Sequence, residues 1–346
     1  MRLLILTQKV DKNDPILGFF HRWIIEFAKN CESITVICLQ KGQYDLPENV
    51  RVLSLGKEKE EENTTSLSRI KYIINFYKYI WKERGNYDNV FIHMNQVYVI
   101  LGGIFWKLLN KKISLWYTHK QVSLSLRIAE KLVDNIFTAS KESFGLNSKK
   151  VHIVGHGIDI ERFINKNSSI HDSFNIISVG RITRIKNLEI LINTSVILEN
   201  QGFDFSYTVI GPTVTQDDKI YFEELKKIPR SKNFIFKDAV THEELARYYW
   251  NSDININLAP TGGVDKVVLE GIVAGVIPIV MNKTFTNVFD KYSDILITDN
   301  DTLVDKVKNI YHMSNKKEII DFLQKKVIED YDVKNVVKKI LKIINI

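Results

Sequence analysis

Apolar residues in this chain recur in two patterns that alternate along its first half. Short apolar runs typical of buried strands are separated by segments with helical periodicity. The strand-like runs are Leu3–Thr7, Ile34–Leu39, Val50–Leu55, Val90–His93, Ile113–Tyr117, Ile136–Ala139 and Val151–Val154. The helical segments are Phe19–Ala28, Leu67–Arg84, Val97–Leu109 and Leu124–Val133. This alternation predicts a parallel sheet that is covered by helices on both faces.

The second half repeats the alternation after a polar, aperiodic linker at Glu161–Phe174. Its predicted strands are Asn175–Val179, Phe205–Ile210, Phe234–Phe236, Asp253–Leu258, Ile277–Met281 and Asp294–Ile297. Its predicted helices are Asn187–Glu199, Gln216–Ile228, Glu243–Trp250, a helix around Glu270, and Leu303–His312. We therefore predict an α/β protein with two tandem, doubly wound, Rossmann-like domains facing each other across a cleft, at residues 1–165 and 166–330. The remaining residues, 331–346, contain a basic helix. The sequence leaves open which of the two domains this helix packs on.

Length and charge agree with this division. At 346 residues the chain exceeds one ordinary core. The net charge of +7 arises entirely in residues 1–165, which hold 24 basic and 17 acidic residues, whereas residues 166–346 hold 24 of each. The first half either faces an anionic partner or surface, or carries an ordinary charge excess. No zinc finger, RNP-like motif or dense arginine patch is present, so nucleic acid is not an expected partner.

The chain has no apolar run long enough to predict a membrane-spanning helix or a signal sequence, which indicates a cytoplasmic location. Its two cysteines, Cys31 and Cys38, are expected to be reduced and packed. No cysteine or histidine set has metal spacing. Aspartates at 299 and 301, and at 330 and 332, directly precede predicted helices, so we interpret them as helix caps and expect no metal.

A basic segment follows the first strand of the second domain. Gly180 and Arg181 come at the strand end, and Lys186 stands five residues further on. Free N–H groups, a guanidinium and an ammonium at one site suit a diphosphate. The alternative is a basic helix start without a ligand, which the helix dipole disfavours.

A glycine loop and a helix with one carboxylate follow the fourth strand of that domain. Gly262 and Gly263 let the backbone approach a ligand closely. Glu270 lies in an otherwise apolar helix, where a carboxylate needs a partner. It either binds a ligand or pairs with a nearby lysine.

Two residues of the first domain are further candidates. Gly18 opens a helix after the first strand, and serves either substrate approach or helix capping. His119 follows the strand Ile113–Tyr117, at the sheet edge where ligands bind, and has either a structural or a binding role.

The helix at residues 68–84 is basic and aromatic. We predict a core face of Ile70, Ile73, Ile74, Tyr77, Ile80 and Trp81, which leaves Tyr72, Phe76 and Tyr79 among lysines. Such a helix either lies on a membrane surface or is an outer helix with extra aromatic residues.

These segments together resemble the retaining, nucleotide-sugar-dependent glycosyltransferases of family 4, which have the GT-B fold. V-H-I-V-G-H-G-I-D-I-E-R-F, V-G-R-I-T-R-I-K-N and V-L-E-G-I-V-A-G-V-I-P-I carry the resemblance, which spans nearly the whole chain. It implies that Arg181 and Lys186 hold the donor diphosphate and that Glu270 binds the donor ribose. It also implies that Gly18 lies near donor and acceptor, and His119 near the transferred sugar.

One position departs from the family pattern. Gly262 stands eight residues before Glu270, where the family's E-x7-E motif has a glutamate that contacts sugar hydroxyls. The resemblance nevertheless implies hexosyl transfer from a nucleotide-diphosphate sugar to a hydroxyl acceptor, with no cofactor. The basic charge of the first domain favours a lipid-linked or anionic acceptor, and the basic helix at residues 68–84 makes an anionic membrane surface a further candidate partner. The rival hypotheses are a nucleotide-sugar 2-epimerase and a nucleotide-sugar-binding protein without catalysis.

Overall fold

The chain forms two compact units in a computed structural model that describes residues 1–14, 16–59, 66–164 and 173–345. Unit 1 comprises residues Met1–Gly157 with Val333–Ile346, and unit 2 comprises Ile158–Asp332. The predicted boundary at 165/166 lies outside the described residues. The described residues immediately before it pack in unit 2, where Ile158 and Phe163 belong to the core.

The secondary structure alternates along the chain. The strands are β1 (Arg2–Val10), β2 (Ser33–Lys41), β3 (Val50–Ser54), β4 (Asn89–His93), β5 (Lys112–Trp116), β6 (Asn135–Thr138), β7 (Val151–Ile153), β8 (Phe174–Val179), β9 (Phe205–Ile210), β10 (Phe234–Lys237), β11 (Ile254–Asn257) and β12 (Ile277–Val280). The helices are α1 (Phe19–Ala28), α2 (Ser66–Lys82), α3 (Gln96–Leu108), α4 (Leu124–Leu132), α5 (Ile160–Phe163), α6 (Leu188–Asn200), α7 (Gln216–Lys227), α8 (His242–Trp250), α9 (Lys266–Ala274), α10 (Thr286–Phe289), α11 (Ser293–Leu296), α12 (Leu303–His312), α13 (Lys316–Tyr331) and α14 (Val333–Ile344). Almost every predicted strand and helix is found within a few residues of its predicted bounds.

Unit 1 is a parallel sheet of seven strands in the order β3-β2-β1-β4-β5-β6-β7. One face is covered by α1 and by the C-terminal helix α14, whose apolar stripe is fully buried at Val336, Val337 and Ile340. The other face is covered by α2, α3 and α4. The last helix therefore packs on the first domain, one of the two possibilities that the sequence left open.

Unit 2 is a parallel sheet of five strands in the order β10-β9-β8-β11-β12. The chain leaves β8 toward β9 on one side, and it later returns to β11 on the other side. The switch point of the sheet therefore lies between β8 and β11, and ligands bind open α/β sheets at the carboxyl ends of such strands. α9 and α13 both pack against this sheet, and Val268, Leu269 and Ile272 of α9 are fully buried.

One predicted strand is wrong, and one long helix was not predicted. Asp294–Ile297 is not a strand, because residues 293–296 form α11 and only Ile297 bridges β12, at Val280. The apolar run there is too short to separate a strand from a helical turn. The helix α13 was not predicted, although its buried residues Ile319, Leu323 and Val327 recur at helical spacing.

The orientation of α2 is also different from the prediction. The side chains that pack on the sheet are Tyr72, Phe76 and Ile80, whereas the predicted core residues Ile70, Ile73, Ile74, Tyr77 and Trp81 are exposed. Because α2 carries two apolar stripes, its periodicity alone could not decide which stripe faces the sheet.

Both cysteines are free and buried. Burial raises the pKa of the Cys31 thiol to about 11 and that of Cys38 to about 12, so neither is a ready nucleophile. Within the described residues, no helix combines the length and the apolar character that crossing a membrane requires.

Candidate functional site

Gly180, Arg181 and Lys186, three of the predicted site residues of unit 2, lie at the switch point of its sheet. Gly180 and Arg181 follow β8, and the loop of residues 258–265 follows the neighbouring strand β11. A pocket at this edge is lined by Gly180, Arg181 and Lys186 from the first segment, and by Asn257 and Leu258 from the second. The fold thus brings together two segments that are far apart in the sequence.

Gly180 occupies a backbone conformation that favours glycine. Its φ of +143° lies in a region that L side chains rarely adopt, and a Cβ there would stand 3.5 Å from Cε of Lys186. A second glycine supports it: a Cβ at Gly211 would stand 1.9 Å from the Gly180 carbonyl oxygen. The turn after β8 therefore requires both glycines, and sequence reasoning identified only the first.

Arg181 is half-exposed beside a buried carboxylate. Its Nε lies 3.7 Å from Oδ2 of Asp218, and Asp218 also accepts hydrogen bonds from the backbone N–H groups of Val214 and Thr215. Burial raises the pKa of Asp218, but these hydrogen bonds hold it below its usual value. The anchored carboxylate orients the guanidinium at the pocket rim.

Lys186 joins the two segments of the site. Its Nζ lies 2.6 Å from Oδ2 of Asp265, which also accepts a hydrogen bond from Nδ2 of Asn257 at 2.9 Å. Asp265 immediately precedes α9, yet its side chain makes no capping hydrogen bond to that helix. An anion entering the pocket would therefore meet a cation already paired with a half-exposed carboxylate.

Polar side chains from the segment after β12 hold the glycine loop at Gly262 and Gly263 through hydrogen bonds. Nδ2 of Asn282 donates to the carbonyls of Gly262 and Gly263, and Oγ1 of Thr284 donates to Gly262. Gly262 has a φ of +121°, with open space around its missing Cβ. The backbone is thus strained for any L residue at the position where the family has its first glutamate.

Glu270 lies on α9, one turn after Lys266, and only 5% of its surface is exposed. Burial raises the pKa of the Glu270 carboxyl to about 7, while the positive charges of Lys266 and Arg162 lower it in part. Glu270 is not among the residues that line the pocket at Gly180. A carboxyl with this pKa changes its charge near neutral pH, which is a feature of functional sites.

The predicted site residues of unit 1 are placed differently. Gly18 is the residue before α1, with an ordinary φ of −58°, and a Cβ there would stand 2.4 Å from the Asp14 carbonyl oxygen. The loop before α1 therefore has no room for a side chain at position 18, which explains the glycine. His119 is exposed in the segment after β5, with its ring edge-on to Tyr117 at 5.5 Å between centroids.

The switch point of the unit 1 sheet lies between β1 and β4, and a buried histidine lies there. His93 ends β4, stacks on Phe20 at 3.8 Å between ring centroids, and lies with Nδ1 3.2 Å from Oγ1 of Thr7. Met94 follows with a φ of +62°, which is uncommon for a residue with a side chain. Strain next to a buried histidine marks this edge as a second candidate region.

The first aspartate pair has a local structural role. Oδ1 of Asp299 accepts hydrogen bonds from the backbone N–H and the hydroxyl of Thr302, the residue before α12. Asp332 stands between α13 and α14. Within the described ranges, no group of three or more His, Cys, Asp or Glu side chains is arranged to hold a metal ion.

Sequence reasoning missed the residues that shape the pocket around its charges. Asn257, Asp265 and Asn282 are spread over two strands and a loop, and only the strand order brings them to one edge. The available signal was the position of Asn257 and Asn282 at or just beyond strand ends, where polar side chains reach a binding edge.

A family model supports the chemistry suggested by this pocket. Residues 173–313, most of unit 2, match the model described as Glycosyl transferases group 1. Over 70 residues the chain is 34% identical to the amylovoran biosynthesis glycosyltransferase AmsK of Erwinia amylovora. That match spans 20% of this chain and 17% of the relative's length.

Solved structures resemble the chain over nearly its whole length. A structure of Anabaena Alr3699/HepE in complex with UDP-glucose is 14% identical, with a TM-score of 0.75 and 99% coverage of each chain. Sucrose-phosphate synthase from Thermosynechococcus elongatus is 12% identical, with a TM-score of 0.74, covering 100% of this chain and 98% of the other. A glycosyltransferase from Rickettsia africae is 13% identical, with a TM-score of 0.71, covering 99% and 98%. The chain has the GT-B fold of two Rossmann-like domains, and the family match supports a glycosyltransferase.

Proposed function

We propose that this protein transfers a hexosyl group from a nucleotide-diphosphate sugar to a hydroxyl acceptor, with retention of anomeric configuration. The observation that carries the proposal is the pocket at the switch point of unit 2. There Arg181 and Lys186 stand beside the glycine turn at Gly180, and Lys186 pairs with Asp265 of the loop at residues 258–265. We assign the reaction to the assembly of a surface glycan or glycolipid, an assignment supported by the amylovoran-synthesis relative.

In this proposal the diphosphate binds between the two segments of the pocket. Arg181 offers a planar guanidinium and Lys186 an ammonium, so they stabilise the negative charge that grows on the leaving diphosphate as the glycosidic bond breaks. Gly180, Gly262 and Gly263 allow the backbone to approach the donor. We assign these three glycines to donor binding and not to acceptor binding.

Glu270 accepts hydrogen bonds from the donor ribose hydroxyls, and it does so most strongly when it is ionised and both of its oxygens are acceptors. His119 positions the transferred sugar, and Gly18 contributes to the donor side of unit 1. No enzymic nucleophile stands out, so we assign removal of the acceptor proton to the leaving phosphate itself. No metal or cofactor is assigned a role.

The test is a turnover assay with nucleotide sugars and hydroxyl acceptors, lipid-linked ones included. Release of nucleoside diphosphate that requires an acceptor, together with a product of unchanged anomeric configuration, would support the proposal. Free nucleotide and an altered sugar without any acceptor would identify a 2-epimerase instead. Binding without turnover for every acceptor would identify a nucleotide-sugar-binding protein. An inverted product would contradict the retaining mode.

A further inference from the structure

One outer surface of unit 1 carries a stripe of exposed apolar side chains. On α2, Leu67, Ile70, Ile74, Tyr77 and Trp81 are exposed, with exposed fractions from 44% to 78%. Their spacing places them on one flank of the helix, away from Tyr72, Phe76 and Ile80, which pack on the sheet. Scattered apolar residues are ordinary on a protein surface, but a continuous stripe indicates a binding surface.

The neighbouring helix α3 extends this stripe. Val97, Ile104 and Leu108 are exposed on α3, again at helical spacing. The two helices are in contact, because the Tyr77 hydroxyl donates to the Leu101 carbonyl at 3.0 Å and the rings of Trp81 and Phe105 are 5.9 Å apart. We call the exposed apolar residues of the two helices the α2–α3 face.

An apolar cavity of about 240 Å³ lies between the same helices. Ile73 of α2 and Val97 of α3 line it and are both partly exposed, so the cavity reaches the α2–α3 face. Tyr98 and Leu101 line it with apolar surface, and Arg69 also borders it. The cavity therefore adds apolar surface to the α2–α3 face.

Basic side chains border the apolar stripe on both helices. Lys71, Lys78 and Lys82 are exposed on the flank of α2 next to the stripe, and Lys107 is exposed on α3. Neither helix contains an aspartate or glutamate, so their charge is entirely positive. An apolar flank beside a row of lysines is the pattern of a helix that lies in the interface of an anionic membrane.

A second copy of the chain fits this surface less well. Two-fold pairing through the α2–α3 face brings identical surfaces together, which would set the lysine rows of the two copies against each other without a carboxylate on either helix. An anionic bilayer meets both the apolar flank and the lysines. We propose that the α2–α3 face docks unit 1 onto an anionic lipid bilayer.

Trp81 provides a built-in reporter for this proposal. It is 59% exposed, whereas Trp23, Trp106 and Trp116 are buried and Trp250 is half-buried with its Nε1 bonded to the Phe163 carbonyl. Vesicles of phosphatidylcholine mixed with phosphatidylglycerol should shift the tryptophan emission of the full chain to shorter wavelength, and vesicles of phosphatidylcholine alone should not. Trp81→Phe should abolish the shift while the protein still cosediments with the mixed vesicles.

Cosedimentation with the mixed vesicles tests the residues of the face. Ile74→Glu, and separately the pair Lys71→Glu and Lys78→Glu, should each lower vesicle binding about tenfold or more, and high salt should weaken wild-type binding. These side chains are exposed, so thermal unfolding should be unchanged in both variants.

Matched controls lie on α7 of unit 2. Ile220→Glu, and separately the pair Lys219→Glu and Lys227→Glu, change exposed residues in the same way and should leave vesicle binding unchanged. Equal losses in the two sets would show a net-charge effect and overturn the proposal. Binding that ignores lipid charge would overturn it as well, as would a dimer that Ile74→Glu converts to a monomer. No nucleotide sugar is needed, so this result is independent of the proposed enzyme activity.

Discussion

The ammonium of Lys186 lies 2.6 Å from the carboxylate of Asp265, so the cation proposed to hold the donor diphosphate is already paired in the protein without donor. A diphosphate must share this cation with Asp265 and is repelled by that carboxylate. Asp265→Asn should therefore bind nucleoside diphosphate about fivefold more tightly, as expected for one partly exposed charge pair. Calorimetric titration measures this, and weaker binding in the variant would contradict it.

Comparing the nucleotide sugar with the bare nucleoside diphosphate extends this test. Asp265 is the nearest carboxylate in the sequence to Gly262. At the position of Gly262, the glycosyltransferase family that the sequence resembles has a glutamate that contacts the sugar. If Asp265 contacts the sugar, Asp265→Asn should lose the additional affinity that the sugar provides while gaining affinity for the diphosphate. An equal gain for both ligands would limit Asp265 to its pairing with Lys186.

Removing the proposed diphosphate ligands should weaken donor binding. Arg181→Ala and Lys186→Ala should each reduce donor affinity about tenfold or more, because each removes a charge-assisted hydrogen bond. Arg184→Ala is the matched control, since Arg184 belongs to the same segment but pairs with Glu224 on the exposed surface. Unchanged donor affinity in both site variants would remove the site assignment.

The pH dependence of donor binding should follow Glu270. Its pKa is about 7 without donor because the carboxyl is buried, and the ionised form accepts hydrogen bonds from ribose hydroxyls. Below that pKa, donor binding must displace a proton, so affinity should fall by up to about tenfold per pH unit. Glu270→Gln should remove this dependence. A nucleotide sugar is the right ligand, because its diphosphate does not titrate there, and a pH-independent affinity of the wild type would contradict the assignment.

The same carboxyl should influence stability, with a definite sign. The folded-state pKa of about 7 lies above the ordinary 4.5, so the folded protein holds this proton more tightly than the unfolded chain. The stability that results is fully present below pH 4.5 and is lost as pH rises to about 7. Chemical denaturation should therefore show Glu270→Gln gaining stability relative to wild type between pH 5 and pH 8, and a loss over that range would contradict the burial argument.

The backbone at Gly262 should not accept a side chain without strain. Gly262→Ala should lower the free energy of unfolding by about 1–3 kcal/mol, because its φ of +121° is unfavourable for an L residue. Gly85→Ala is the control, since Gly85 has open space around it and no positive φ. Equal stability of the two variants in denaturant titration would show that the loop relaxes freely, and a glutamate at position 262 would then be tolerated.

Much of the fold was predictable because strand and helix periods alternate cleanly along the chain. The elements that were misread have ambiguous patterns. Asp294–Ile297 is a short apolar run, and α2 has one stripe at Tyr72 and Phe76 and a second at Ile74 and Trp81. Only packing on the sheet selects between the two stripes of α2, and that contact is not encoded in local periodicity.

The charged residues of the site were predictable because they follow strand ends in a compact motif. Their partners were not, because Asp265, which also accepts a hydrogen bond from Asn257, meets Lys186 only through the neighbouring positions of β8 and β11 in the sheet. The backbone at Gly262 is likewise a property of the folded loop. Sequence indicated an absent glutamate there, and the structure adds a strained φ.

The most direct test of the central claim is thermal unfolding of the protein with a panel of nucleotide-diphosphate sugars. A ligand that binds only the folded state raises the unfolding temperature, and the rise increases with the logarithm of the ligand concentration above its Kd. We predict that at least one nucleotide sugar stabilises the wild type and Arg184→Ala, and that Lys186→Ala loses this stabilisation. If no nucleotide sugar stabilises the wild-type protein, the proposed function is contradicted at its first step.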